Sequence, residues 1–364
     1  MYEQGIEVGG IDFFASRGYI VVVVNPRGIQ NSEGIWTGVL SRQDQIDCCE
    51  VIRWAGHYLS DGNVGMIGCG YAGKIQPLVA SMNPPYLKAI MPIDVIDDMY
   101  LDCCPGGILS DINYPLCSYI PHTNTISEAE MEHSEEELKE MLAEARRQPE
   151  IATNSYYYRG LDSFPPRHYT WNIDIMLHPF KSEWWDRRSF KDRVVSIPTY
   201  IVGLYYEYGY ATISSYDIYN KIDNSVPKKL LMLDPATAKT SPYEKPVPEQ
   251  LRWYDHWLKG MDTGIMDEPP IKMLAPGRVF RSDSDATHSP DVPSDGRSCC
   301  GNRYGRNPSY YNGTFKVRKF NPFYSVYDYI GLYLWYCRND CYRTGQGLFG
   351  TDIYIFTGGN HRQG

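Results

Sequence analysis

The sequence predicts an α/β fold: a mainly parallel sheet with helices on both faces and a helical cap inserted into it. Two observations predict it. Short apolar runs alternate with segments of helical character, the pattern of strands joined by crossover helices. That alternation stops between about 105 and 185, where helix-capping signals take over, and it resumes near Ile197.

Taken in order, residues 13–19 read as a helix end closed by Gly18. Ile20 to Val24 is an unbroken β-branched run, as in a strand covered on both faces, and belongs at the centre of the sheet. The turn-forming loops Asn25-Pro26-Arg27-Gly28 and Asn31-Ser32-Glu33-Gly34 follow. A helix over 44–54 holds Asp44, Asp47 and Arg53 on polar positions, and Arg27 is a partner for one of the aspartates. Residues 88–92 form a further buried strand whose end carries Asp94, Asp97 and Asp98. Three carboxylates suit a metal, but a strand-end loop is also a common place for solvated acids, and no metal or cofactor is assigned.

In the insertion, Ser127-x-x-Glu130 and Ser134-x-x-Glu137 are capping boxes. The second opens a helix with Leu138, Met141, Leu142 and Ala145 on one face and a Glu135–Lys139 pair. Tyr156, Tyr157, Tyr158, Tyr169 and Trp171 either line a pocket under this cap or pack it on the core. Strands at 197–203 and 229–233 end in loops of the kind where an open α/β sheet keeps its chemistry. A helix over 249–258 ends at Gly260. After Pro276 the composition shifts to linker-like sequence over 282–298, then to short strand-like runs at 314–317 and 353–356. Cys337 and Cys341 with Cys299 and Cys300 fit no common zinc spacing.

A net charge of −9 argues against nucleic acid or an anionic membrane as a partner, since both require a basic face. No apolar stretch is long enough to span a bilayer, and the first residues lack the layout of a secretion signal. Of ten cysteines, six fall in adjacent pairs, which gives no disulfide framework and points to a reduced, cytoplasmic chain. The 31 tyrosines suggest no function.

Chemistry is sought first in Val64-Gly65-Met66-Ile67-Gly68-Cys69-Gly70-Tyr71-Ala72-Gly73-Lys74. An apolar run passes through small residues into a helical segment, as in a strand–turn–helix nucleophile elbow. So tight a turn needs small residues two before and two after its tip, and Gly68 and Ala72 qualify if the tip is Gly70. The position that should carry a nucleophile is then a glycine. Cys69 as the tip would put Ile67 and Tyr71 at the small positions. A glycine-rich strand end that merely turns is the plain alternative.

Several segments together resemble the CocE/NonD (cocaine esterase / X-Pro dipeptidyl-peptidase) branch of the α/β-hydrolases. They are Phe14-Ala-Ser-Arg-Gly-Tyr19, Pro26-Arg27-Gly28 leading to Ser32-Glu33-Gly34, Asp61-Gly-Asn-Val-Gly65, the turn itself, and Pro84-Pro-Tyr-Leu-Lys-Ala-Ile90. Further on come Pro105-Gly-Gly107, Trp185-Asp-Arg-Arg-Ser189, Arg252-Trp-Tyr-Asp-His-Trp-Leu-Lys-Gly260 and Asp267-Glu-Pro-Pro-Ile271. The resemblance covers about 5–276 and implies an α/β-hydrolase core over 1–104 and 186–276 with a cap over 105–185; the stretch 277–364, to which it does not extend, reads from its composition as an irregular β-rich segment. It also implies hydrolysis of ester, amide or X-Pro peptide bonds by a Ser–His–Asp triad, with a small ester, amide or peptide as ligand.

Carried over by position, the nucleophile falls on Gly70, the acid on Glu207 and the histidine on Ala238, with the Tyr71 backbone N–H as oxyanion donor. No histidine occurs between His178 and His256, and His256 reads as packing or surface. The family's second oxyanion donor, a tyrosine, would precede the first residue, so the chain reads as cut at both ends. The expectation is a hydrolase homologue with impaired catalysis; the alternatives are a non-catalytic binding descendant and a decayed fragment.

Overall fold

The computed structural model describes residues 11–29, 32–109, 126–152, 170–204, 210–233, 246–275, 278–281 and 332–336. Helix α1 (Ile11–Ala15) ends before Gly18, whose φ of 83° lets the chain turn into β1 (Ile20–Val24). Helix α2 (Arg42–Trp54) opens on Ser41 through a reciprocal capping box with Asp44. Strand β2 (Val64–Gly68), helix α3 (Tyr71–Ala80) and strand β3 (Leu87–Pro92) follow.

Among the described residues six α-helices lie between β3 and the next strand: α4 (Met99–Cys103), α5 (Glu128–Glu132), α6 (Glu135–Ala145), α7 (Pro149–Ala152), α8 (Thr170–Leu177) and α9 (Glu183–Asp186). Both capping boxes form, and Lys139 pairs with Glu135. Leu138, Leu142 and Ala145 are buried, whereas Met141 is only partly so. Sheet structure returns with β4 (Thr199–Leu204), α10 (Tyr210–Lys221), β5 (Lys228–Leu233), α11 (Val247–Lys259), β6 (Ile271–Ala275), β7 (Arg278–Arg281) and β8 (Leu332–Tyr336). Gly260, with φ 66°, closes α11. No described helix is long and apolar enough to cross a membrane.

The sheet order is β1-β8-β2-β3-β4-β5-β6-β7. Strands β2 to β6 pair in parallel, while β7 and β8 run antiparallel to their neighbours. Side chains alternate between two cores, as the period of two requires. Met66, Ile90, Ile201, Leu230 and Met232 join a core with α2 and α3. Ile67, Met91, Tyr200, Val202 and Leu231 join a second core with Phe14 of α1 and Trp253, Tyr254 and Leu258 of α11. Buried on both faces, these strands have the apolar character of a parallel sheet between two helical layers.

One expectation is corrected. Residues 21–24 do not lie at the centre of the sheet: among the described strands β1 is at the edge, every residue of it partly exposed, and β8 stands between it and β2. A β-branched run specifies a strand, but its place in the sheet depends on which distant segment pairs beside it. Here that segment, 332–336, lies in the stretch read as irregular and β-rich, where no run is singled out at that place. The strand-like runs at 314–317 and 353–356 lie outside the described residues.

Candidate functional site

The turn between β2 and α3 is built from backbone requirements. Gly70 has φ 56° and ψ −123°, a combination that side-chain-bearing residues rarely adopt. Its carbonyl accepts from Gly73 N at 3.1 Å and Lys74 N at 2.8 Å, which starts α3 at once. The Gly68 carbonyl accepts from Ile93 N at 3.0 Å, so the turn is tied to the end of β3. A Cβ on Gly73 would stand 1.9 Å from the Ile93 carbonyl oxygen, and Ala72 is wholly buried. The small residues are therefore demanded by the close approach of α3 to the neighbouring strand end. The Tyr71 amide belongs to the first turn of α3, whose N–H groups have no intrahelical acceptor. Cys69 is buried with its thiol free of disulfide.

Glu207 and Ala238 lie outside the described residues. The strands before them, β4 and β5, run parallel to β2, so their C-terminal ends fall along the sheet edge that carries Gly70. His256 is partly exposed, with Nδ1 3.2 Å from the Met261 carbonyl oxygen. Tyr156, Tyr157, Tyr158 and Tyr169 are also outside the described residues. Trp171 is core: it is buried and stacks on Trp184 with centroids 5.2 Å apart.

The three aspartates after β3 are buried rather than solvated, and each is claimed by a lysine from a different place in the chain. Asp94 faces Lys74 at 3.4 Å, Asp97 receives Lys221 at 2.6 Å, and Asp98 pairs with Lys181 while capping α4. Burial raises Asp94 and Asp97 above the ordinary carboxylate range. Burial alone would lower Lys74, but Asp94 and Asp102 hold it above its usual value. Among the described residues no group of three or more His, Cys, Asp or Glu is placed to hold a metal ion.

A second correction concerns Asp44, expected on a polar position. It is 4% exposed, and its Oδ2 accepts from the Ser41 amide at 3.2 Å and the Tyr71 hydroxyl at 2.6 Å. Burial pushes its pKa up to about 6, against the opposing effect of those bonds. Burial and the nearby Asp44 charge raise Tyr71 well above the phenol range. The spacing Ser41-x-x-Asp44 signals the bond to the Ser41 amide alone, since a capping-box acid folds back onto its own helix terminus. Arg27 does meet Asp47, through two nitrogens at 2.6 Å each. Beside Tyr71 lies a cavity of about 250 Å³ between the end of β1, α2 and α3. Tyr71 thus serves both places, its amide at the turn and its ring at the cavity.

Comparison with known proteins adds the lineage. A relative from Bacillus anthracis that carries an Xaa-Pro dipeptidyl-peptidase name is 22% identical over 317 residues, covering 80% of this chain and 47% of its own. The chain spans about half the length of the curated relatives it matches. The crystal structure of a CocE/NonD family hydrolase from Staphylococcus aureus aligns with a TM-score of 0.49 at 20% identity, over 71% of this chain and 40% of that one. Residues 257–294 match the family model of the tRNA synthetases class II core domain (F). In the same vein, the phenylalanine–tRNA ligase alpha subunit of Neisseria meningitidis serogroup B is 78% identical over 23 residues, 6% of this chain and 7% of its own. The model of the X-Pro dipeptidyl-peptidase (S15) family matches residues 2–237. That span is more than half of the chain and contains β1 to β5 with the turn at Gly70, so the chain belongs to the S15 family and has an α/β-hydrolase fold.

Proposed function

We propose that this chain is an S15-type hydrolase homologue whose own ester and amide hydrolysis is impaired. The nucleophile position is Gly70, the acid position Glu207 and the histidine position Ala238, with the Tyr71 amide as oxyanion donor. The reading keeps the helical 105–185 segment as a cap over that site and a small ester, amide or peptide as its ligand. One observation carries it: the tip of the β2–α3 turn is a residue without a side chain. Loss of the serine or the histidine of a triad costs on the order of a millionfold in turnover. The reduced thiols of Cys48, Cys49 and Cys104 support a reducing, cytoplasmic setting.

The test is turnover of p-nitrophenyl esters and of X-Pro p-nitroanilides by the purified chain. Background rates are expected. Robust turnover that survives Cys69→Ala would overturn the reading. A second reading, a decayed or joined product without selected function, is favoured by the synthetase match that follows the hydrolase match. Thermal unfolding separates the two. A single cooperative transition supports the hydrolase homologue, and a broad non-cooperative melt supports the decayed product.

A further inference from the structure

We propose that the cavity beside Tyr71 is a binding site for a small organic cation, a primary ammonium on a short apolar chain. Val24, Val51 and Ile75 give it apolar walls, and Asp44 places a buried carboxylate among them. The hydrogen bonds that reach Asp44, from Ser41 and Tyr71, come from neutral groups. Among the described residues no lysine or arginine forms an ion pair with it. A buried carboxylate without a cationic partner is costly, and an ammonium that reaches it from the cavity removes that cost.

The other charges at the cavity select the same sign. Asp47 is already matched by Arg27, and the exposed Glu33 stands on the loop after β1. Three carboxylates therefore face one guanidinium. An anion would be repelled, and a neutral molecule would leave Asp44 without an ion pair, with only the longer-range charge of Arg27 acting on it. The groups around Asp44 are Tyr71 from α3, Cys48 and Asp47 from its own helix, and Arg27 from the loop after β1. Burial holds Cys48 and Tyr71 neutral at physiological pH, so Asp44 is the member that titrates there. The site uses no atom of Gly70, so it goes beyond the hydrolase reading and stands whether or not that reading does.

The experiment is calorimetric titration of the full chain with n-butylammonium, 1-butanol and butyrate. Butylammonium is expected to saturate a single site at least tenfold more tightly than 1-butanol, with butyrate not binding. With Asp44 near pKa 6, its affinity should fall about tenfold from pH 7 to pH 5, as the carboxylate takes up its proton. Asp44→Asn keeps the hydrogen-bond acceptor and removes the charge, and should weaken binding at least tenfold. Val51→Phe fills the cavity and leaves Asp44 in place; it should abolish binding, and it decides the matter if Asp44→Asn does not fold. The proposal is overturned by equal affinity for butylammonium and butanol, by affinity independent of pH, by binding that survives Val51→Phe, or by the lack of saturable binding.

Discussion

Strand β1, Ile-Val-Val-Val-Val, is the more hydrophobic of the two strands that flank β8, yet all five of its residues stay partly exposed, whereas every residue of β2, Val-Gly-Met-Ile-Gly, is buried. The difference is positional. Strand β2 has a paired neighbour on each side and helices α3 and α11 against it, and β1 closes one end of the described sheet. Burial also imposes different chemistry on the two. In β2 and the turn after it, neighbours press so closely that side chains are excluded: a Cβ on Gly65 would lie 2.5 Å from the Tyr254 ring. Strand β1 has room for four valines in succession. Hydropathy tells which segments become strands; the packing around a strand decides whether it can carry a strained turn.

Substitutions that add one carbon beside β2 or remove two from β1 test this contrast. Gly73→Ala should have the largest effect, because the added atom meets a backbone carbonyl rather than a movable side chain; a loss above ~3 kcal/mol in denaturant unfolding is expected. Gly65→Ala meets the Tyr254 ring, which can shift slightly, and should cost about 2 kcal/mol. A change smaller than that of a β1 substitution would show that β2 is not tightly enclosed.

The pH dependence of β5 tests the same enclosure. Lys229 is buried and donates to the carbonyls of Ile265, Glu268 and Pro269, and burial pushes its pKa down to about 8. The unfolded chain then binds more protons above pH 8, so stability should rise, by on the order of 1–2 kcal/mol, as pH goes from about 8 to the ordinary lysine value. Lys229→Met should remove that slope in unfolding curves measured across the window. At the bottom of the scale, Val22→Ala in β1 should cost below ~1 kcal/mol, as only part of the side chain leaves water.

Much of the fold was legible in the sequence because it rests on local signals. Gly18 and Gly260 stop helices, Ser127 and Ser134 start them, and apolar runs mark β2 to β5. Even the Arg27–Asp47 pair could be anticipated from one loop and the next helix. What was not legible depends on partners brought from far along the chain. Strand β8 enters between β1 and β2 from a tyrosine-rich stretch with no strand signal strong enough to place it. Asp94, Asp97 and Asp98 find Lys74, Lys221 and Lys181 at three separate places in the chain, so what reads as one acidic cluster is three buried carboxylates, each with its own lysine. At the candidate site, the turn could be read because its small residues answer to local geometry. The depth of Asp44 could not, because it depends on the Tyr71 ring that α3 sets against α2.

The central claim is that the turn at Gly70 keeps its architecture without its nucleophile, and fluorophosphonate labelling read by intact-protein mass spectrometry tests it most directly. The unmodified chain should take up no label. Gly70→Ser alone should label barely, because an unassisted hydroxyl is a weak nucleophile and a side chain in that backbone conformation costs about 1–3 kcal/mol. Gly70→Ser combined with Ala238→His should label detectably, with the adduct mapped to position 70. Stoichiometric labelling of the unmodified chain would contradict the account, because it would mean that an activated nucleophile stands elsewhere in the molecule.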